Sequence, residues 1–491
     1  MQVKPIHTLL FMLGVMAMLT GVIALFPKDG IAIPGGYTLY FPDISEFLPD
    51  DQEEEKDLSM IMNMTLDTVS DQMVDSVAIK KKLSRQAAVR DSLRRVVMKF
   101  QYKGGDHAIL YEFFRKLEKL KSSGKRIRIM HYGDSQIEGD RISGYIRYHL
   151  QRKFGGSGPG LIPAMQPIPS IAVEQRASEN WNRYTMFGLR DTTVFHNRFG
   201  MMASFSRFTP VLHDTMPIPA EVFEGWIAID RSRSAYANCK EYSECRMYYS
   251  HNRTPVIVQL KINEVVIRTD TLRPSTTLQE IQWDFDKTPE SFTLDFKGCD
   301  SPDIYGLSLD SKTGLAVDNI PLRGSAGTVF TKMNGPLLKA LYDDLEPELF
   351  ILQFGGNVMP YVETREGAEG YGRSFKNQIE RIHKLRPGAA VIVIGPSDMS
   401  IKQKDKFVTY PHLEMVRDIL KNAAFEAGAA YWDLFEVMGG KNSMPLWVEA
   451  DPPLAAKDYT HFSPKGARKV AELFYSAFIA DYEAYKNKEH P

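Results

Sequence analysis

Short apolar strands alternate with amphipathic helices at both ends of the globular part of this chain, and between residues 163 and 310 helical periodicity nearly disappears. Strands that alternate with helices bury themselves in a parallel sheet covered by helices on both faces. Before the interruption the pattern predicts a helix over residues 107–120, a strand over 126–132 and a helix over 142–154. After it come strands at 315–319, 349–354, 390–394 and 429–432, with helices at 329–345, 374–385 and 413–427. A last helix runs from Pro464 to about residue 485, with Ser463 as its N-cap and the proline in the first position. The expected fold class is therefore α/β, a three-layer parallel sheet. The interrupting stretch follows a glycine-rich run at 155–160 and holds short β-type runs at 221–229, 256–266 and 291–296, broken by Pro, Asn and Asp. It reads as an inserted all-β domain, a sandwich or jelly roll.

The amino terminus has a different character. Residues 8–26 carry no charge and are rich in Leu, Met, Val and Ile, about the length of a membrane-spanning helix. Lys4 precedes this run and Asp50, Asp51, Glu53, Glu54 and Glu55 follow it, so the positive-inside rule points the large carboxy-terminal part away from the cytoplasm. No small-x-small cleavage site follows the run, and no cysteine stands directly after it, so an uncleaved anchor is expected rather than a signal peptide or a lipoprotein anchor. Residues 27–57 read as an extended stalk. Residues 58–100 have apolar side chains at helical spacing and a basic second half, a solvated helical spacer or a helix that touches anionic lipid. The expected domains are an anchor at 1–27, stalk and spacer at 28–104, a split α/β domain at 105–162 and 311–488, and the β insert at 163–310.

Composition narrows the chemistry. Sixty Lys and Arg against 61 Asp and Glu argue against nucleic acid as the main partner, since phosphate binding needs a basic surface. Cys239, Cys245 and Cys299 include no Cys-x-x-Cys pair, and the eleven histidines show no His-x-x-x-His or His-Glu-x-x-His spacing. No metal and no cofactor is expected.

What remains is nucleophilic catalysis. In an open parallel sheet the site lies beyond the carboxyl ends of the strands. Four features fall just after such ends or in the closing loop. They are Gly133-Asp134-Ser135, a run from Arg323 to Thr328 with Gly324 and Gly327, Gly356-Asn357, and Asp458-Tyr459-Thr460-His461. Acyl transfer needs a nucleophile, a base with an orienting carboxylate, and donors for the oxyanion. Ser135 is the candidate nucleophile, His461 the base and Asp458 its orienter. The Ser135 and Gly327 amides and the Asn357 side chain are the candidate oxyanion donors. Read singly, each is as readily a turn or helix-entry residue. His131, two residues before the turn, is expected to pack beside the site.

In that order these blocks resemble those of the SGNH (GDSL) hydrolases, over roughly residues 105–162 and 311–488. The resemblance implies a flavodoxin-like three-layer fold, a triad of Ser135, His461 and Asp458, and an oxyanion hole of Ser135, Gly327 and Asn357, with Gly324 as the fallback. Two positions depart from the family pattern, Val358 where an Asp usually follows the Asn, and Gln136 after the Ser. The inserted β domain is similar to that of the membrane-anchored peptidoglycan and polysaccharide O-acetylesterases, where it acts as an accessory carbohydrate-binding module. Trp181, Tyr184, Trp226 and Tyr236 are candidates to stack on sugars there, or ordinary core aromatics. The resemblance implies a serine esterase that removes small O-acyl groups, acetyl foremost, from an envelope or extracellular glycan. It equally accommodates a membrane-tethered polysaccharide O-acetyltransferase with a membrane acyltransferase as partner. A glycan-binding protein without activity is the reading from another class.

Overall fold

The structure, a computed structural model, describes residues 99–213 and 215–489, together with residues 14, 18, 31–33 and 37–39. The expected apolar span at 8–26, apart from residues 14 and 18, and the expected spacer at 58–98 lie outside the described residues. Among the described residues no helix is long and apolar enough to cross a membrane. The chain divides into two compact units, 1–57 and 58–491. In the first, where an extended stalk was expected, Ile31–Ile33 pairs antiparallel with Tyr37–Leu39.

The larger unit holds the parallel sheet. Its strands are β1 (Arg126–Gly133), β2 (Gly314–Pro321), β3 (Pro347–Gln353), β4 (Ala390–Ile394) and β5 (Ala430–Trp432), in the spatial order β2-β1-β3-β4-β5. Its main helices are α1 (Ala108–Ser123), α2 (Ser143–Phe154), α3 (Gly335–Leu345), α4 (Arg365–Leu385), α5 (Leu413–Glu426) and α6 (Pro464–Glu489). Strand side chains alternate between faces, and the alternation sorts the helices. Ile127 and Ile129, Leu349 and Ile351, and Ile392 and Ile394 pack with residues of α1, α2 and α6. Met130 and Tyr132, Phe350 and Leu352, and Val391 and Val393 pack with residues of α3, α4 and α5. This is the three-layer arrangement.

After α2 the chain leaves the sheet and builds two antiparallel sheets before returning in β2. One runs in the order Val265–Leu272, Val256–Ile262, Ser291–Gly298, Phe223–Asp230 and Glu174–Ala177. The other runs Gln279–Asp284, Glu244–Ser250, Asp303–Asp310, Ser204–Arg207 and Asn182–Thr185, with Gly160–Ile162 added beside Asp303–Asp310. Ile227, Val258 and Phe296 of the first sheet meet Cys245, Met247 and Leu309 of the second, so the insert is a β-sandwich. Its ladder begins at Gly160, ahead of the expected boundary at 163.

The sandwich is not a loose appendage. Phe205, Tyr248 and Tyr305 from its second sheet share one core with Tyr132 of β1 and with Leu338 and Tyr342 of α3. Beneath them Arg128 of β1 is fully buried. Its Nη1 donates to Asp318 Oδ1 at 2.6 Å, and its Nη2 to Asp310 Oδ2 at 2.5 Å and Ser308 Oγ at 3.0 Å. One guanidinium therefore ties the parallel sheet to a sandwich strand.

Two helix starts differ from expectation. Asn334 caps α3, its Oδ1 accepting from the Leu337 N–H at 3.0 Å, so the helix opens at Gly335 rather than at 329. α4 starts at Arg365 instead of 374, with Thr364 accepting from the Gly367 N–H. Gly367, Gly370 and Gly372 lower the local helix propensity and hide that turn. Gly372 is required by packing, since a Cβ there would stand 2.5 Å from Ile419 Cγ2 of α5.

Candidate active site

β1 ends at Gly133, where a Cβ would press on the Ile137 side chain at 3.0 Å, and the chain turns sharply into a short 3₁₀ segment, Ser135–Asp140. Asp134 caps that turn, its Oδ1 accepting from the Gln136 N–H at 2.9 Å. The turn sets Ser135 at the carboxyl end of the sheet, where the loop before α6 meets it. Ser135 Oγ lies 2.8 Å from His461 Nε2, and His461 Nδ1 lies 2.8 Å from Asp458 Oδ2. The other oxygen of Asp458 accepts the backbone N–H groups of Thr460 and His461, each at 3.0 Å. Burial alone would raise the Asp458 carboxyl, but these hydrogen bonds outweigh it and hold its pKa below the ordinary value. An ionised carboxylate fixes the proton on Nδ1 and leaves Nε2 to accept one from Ser135.

A cleft of about 300 Å³ opens over this chain of groups, lined by Ser135, His461, Asn357, Gly356, Met399 and Tyr361 among others. Asn357 follows β3 through Gly355, whose φ of 119° suits glycine. Its Nδ2 donates to Asp134 Oδ2 and to the Ser325 carbonyl, both at 3.2 Å. An oxyanion in the cleft would draw on the same amide. Gly327 does not line the cleft, and its N–H donates to Ser325 Oγ at 3.0 Å. Gly324 has a φ of +74° and open space where a Cβ would stand. The structure thus brings together Ser135, His461, Asp458 and Asn357, and leaves Gly327 aside.

His131 packs behind the site. Its Nδ1 meets Ser143 Oγ at 2.9 Å and its Nε2 meets Gln353 at 3.2 Å, and burial lowers its pKa to about 3. Of the aromatic candidates in the insert, Trp181 and Tyr184 are core residues, Tyr236 stacks on Tyr148, and Trp226 is 38% exposed on the outer sheet face.

Three positioning residues escape sequence reasoning. Gln136 donates from Nε2 to the Thr460 carbonyl at 2.6 Å and accepts the Phe462 N–H at 3.3 Å, bracketing His461 on both sides. Arg141 donates to the carbonyls of Ser135 at 3.0 Å and Phe462 at 3.1 Å, tying the Ser135 turn to the histidine loop. Asp134 links Asn357 to the turn, and burial lifts its pKa to about 6. Asp134 and Gln136 carry a signal in the sequence, the first as the middle of Gly133-Asp134-Ser135 and the second as a departure from the family pattern. Among the described residues no group of three or more His, Cys, Asp or Glu side chains is placed to hold a metal ion.

Residues 297–469 match the family described as GDSL-like Lipase/Acylhydrolase. The matched range holds Asn357, Asp458 and His461, while Ser135 lies before the insert. No curated relative matches the chain. Among solved structures, a peptidoglycan O-acetylesterase aligns with a TM-score of 0.59 and 19% identity, over 77% of this chain and 98% of its own. That is a likeness of fold. An acetyl xylan esterase (15% identity, 33% of this chain, 81% of its own, TM-score 0.25) also aligns. So does a family two carbohydrate esterase from Cellvibrio japonicus (7%, 63%, 99%, TM-score 0.21). Both likenesses are too slight to bear on function. The chain thus carries an acylhydrolase domain of the GDSL-like family, an esterase domain divided by a β-sandwich between its first strand and its second.

Proposed function

We propose that this esterase removes small O-acyl groups, acetyl foremost, from a glycan, by way of an acyl-serine intermediate. The observation that carries the reading is the Ser135–His461–Asp458 relay at the open end of the sheet. His461 Nε2 takes the Ser135 proton as Oγ attacks the ester carbonyl. The Asn357 amide, at the rim of the cleft, is the side-chain donor to the resulting oxyanion. Collapse expels the sugar oxygen, which takes its proton from His461, and water then repeats the sequence to release the acid. A cleft of about 300 Å³ leaves room for a short acyl group beside a sugar ring. The fold likeness to a peptidoglycan O-acetylesterase supports a glycan as the alcohol. The uncharged run at 8–26 supports attachment to a membrane, with the esterase domain on its outer side.

The test is acetate release from an acetylated glycan and from an aryl acetate, with Ser135→Ala as the control. Loss of about ten-thousand-fold or more in kcat is expected in the variant. Turnover that survives the substitution would refute the assignment. An acyl-Ser135 that discharges only onto a sugar hydroxyl would make the protein an O-acetyltransferase instead.

A further inference from the structure

Among the described residues, a charge without a charged protein partner lies not in the triad cleft but beside it. A cavity of about 580 Å³ sits where the sandwich meets the parallel sheet. Glu138, Ile168 and Arg323 line both this cavity and the groove that holds Ser135 and His461, so the two spaces adjoin. Much of its wall is apolar, with Leu161, Met165, Phe187, Met202 and Ile320.

Five ionisable side chains line it: Glu138, Asp140, Arg147, Arg183 and Arg323. Four are matched. Arg147 grips Asp140 through two bonds, at 2.6 and 3.0 Å, and Arg323 faces Glu138 at 3.6 Å. Arg183 is not. It stands on the edge strand Asn182–Thr185, where its Nε donates to Ser204 Oγ at 3.1 Å. Among the described residues neither terminal nitrogen has a protein acceptor, and no carboxylate faces it. Burial therefore lowers its pKa to about 10 with no opposing charge to restore it. Arg183 is part-buried, so water is the partner its terminal nitrogens keep, and a carboxylate that replaces this water gains a charge-assisted bond beside an apolar wall. Its two free Nη groups form a fork that matches a single carboxylate.

We infer that Arg183 in the cavity between sandwich and sheet binds a carboxylate carried by the glycan, so that the substrate is an acidic acetylated sugar polymer. This inference rests on the glycan reading above. The apolar wall suits the faces of a sugar ring, and the shared lining places an acid residue of the polymer beside the one whose ester meets Ser135. Specificity then comes from the insert and chemistry from the α/β domain.

The test is calorimetric binding to the full chain of a deacetylated oligosaccharide bearing uronate carboxylates and of its carboxyl-reduced counterpart. A second pair carries the acid as an ether-linked lactate or as its amide, and whichever pair discriminates names the source of the carboxylate. The acid form of one pair is expected to bind at least tenfold tighter than its neutral counterpart. In Arg183→Met, whose folding is checked by its thermal midpoint, the ratio should fall to about one, and Arg183→Lys should keep part of it. Equal binding of acid and neutral forms in both pairs, or an undiminished ratio in Arg183→Met, would overturn the inference. Acid-selective binding without Ser135-dependent turnover would leave this site standing and refute the esterase reading.

Discussion

Gln136 shows how little of a catalytic centre need be catalytic. Its amide touches neither the reacting atoms nor the triad side chains, yet it holds the backbone before and after His461. Gln136→Leu should lower kcat about tenfold or more while KM changes little, because the base would lose its placement and the cleft would keep its walls. Steady-state kinetics on an aryl acetate checks this. The buried pair of titrating groups near the turn makes a second prediction. His131, with a pKa lowered to about 3 from 6.5, stays neutral where the unfolded chain binds a proton. Its contribution to stability is therefore lost as pH falls from about 6.5 towards 3. Asp134, raised to about 6 from 3.8, acts in the opposite sense, and its contribution is lost as pH rises from about 4 to 6. The two offset each other in the shared window. Replacing the histidine exposes its part: the unfolding free energy of wild type minus that of His131→Asn should shrink by about 1.4 kcal/mol per pH unit below 6.5. Urea titrations between pH 4.5 and 7 measure it, and a flat difference would contradict a neutral buried ring. Ser135, Asn357, Asp458 and His461 are legible in the sequence because each belongs to a short local pattern. The role of Gln136 is not, since its partner Thr460 is 324 residues away, and Arg183 is not, since what marks it is a missing partner.

Among the elements, a small hairpin beside the cleft has a defined task. Ser400–Gln403 pairs with Lys406–Thr409, and Phe407 stacks flat on Tyr459, with ring centroids 3.6 Å apart and planes 7° from parallel. Tyr459 stands between Asp458 and His461 with a φ of 54°, a left-handed conformation that a bulky residue adopts only when held there. The Ser400 N–H adds a bond of 2.9 Å to its carbonyl. Phe407→Ala should release this turn and cut kcat about tenfold with little loss of global stability, which parallel kinetics and thermal unfolding would show. The parallel strands are readable from sequence because each is a continuous apolar run, whereas the run at 256–266 conceals a turn. Asn263 and Glu264 both take positive φ there and split it into the hairpin Val256–Ile262 and Val265–Leu272. Asn suits such a turn and Glu does not advertise it. The Asn334 cap with Pro336 behind it was open to reading, but the apolar Val329 and Phe330 extend the helical pattern towards the amino terminus, and in the structure they are core residues ahead of the helix.

At the scale of the whole larger unit, the sandwich and the α/β domain share both apolar core and buried charge. Removing one partner from a buried ion cluster leaves the others uncompensated, at a cost of about 3–5 kcal/mol. Asp310→Ala should therefore destabilise the unit by about that amount. It should do so in a single cooperative transition, with tryptophan fluorescence and esterase activity lost together, and separate transitions would show two independent domains. The sheet order has a consequence in time as well. β1, which presents the nucleophile, lies between β2 and β3, and both are made only after the whole insert. A chain emerging from its amino end holds Ser135 on a strand with no neighbour until residue 321 and only one until residue 353 has been added, and its base arrives only with residue 461. The nascent protein is thus mute by construction until the loop that carries Asp458 and His461 has been made.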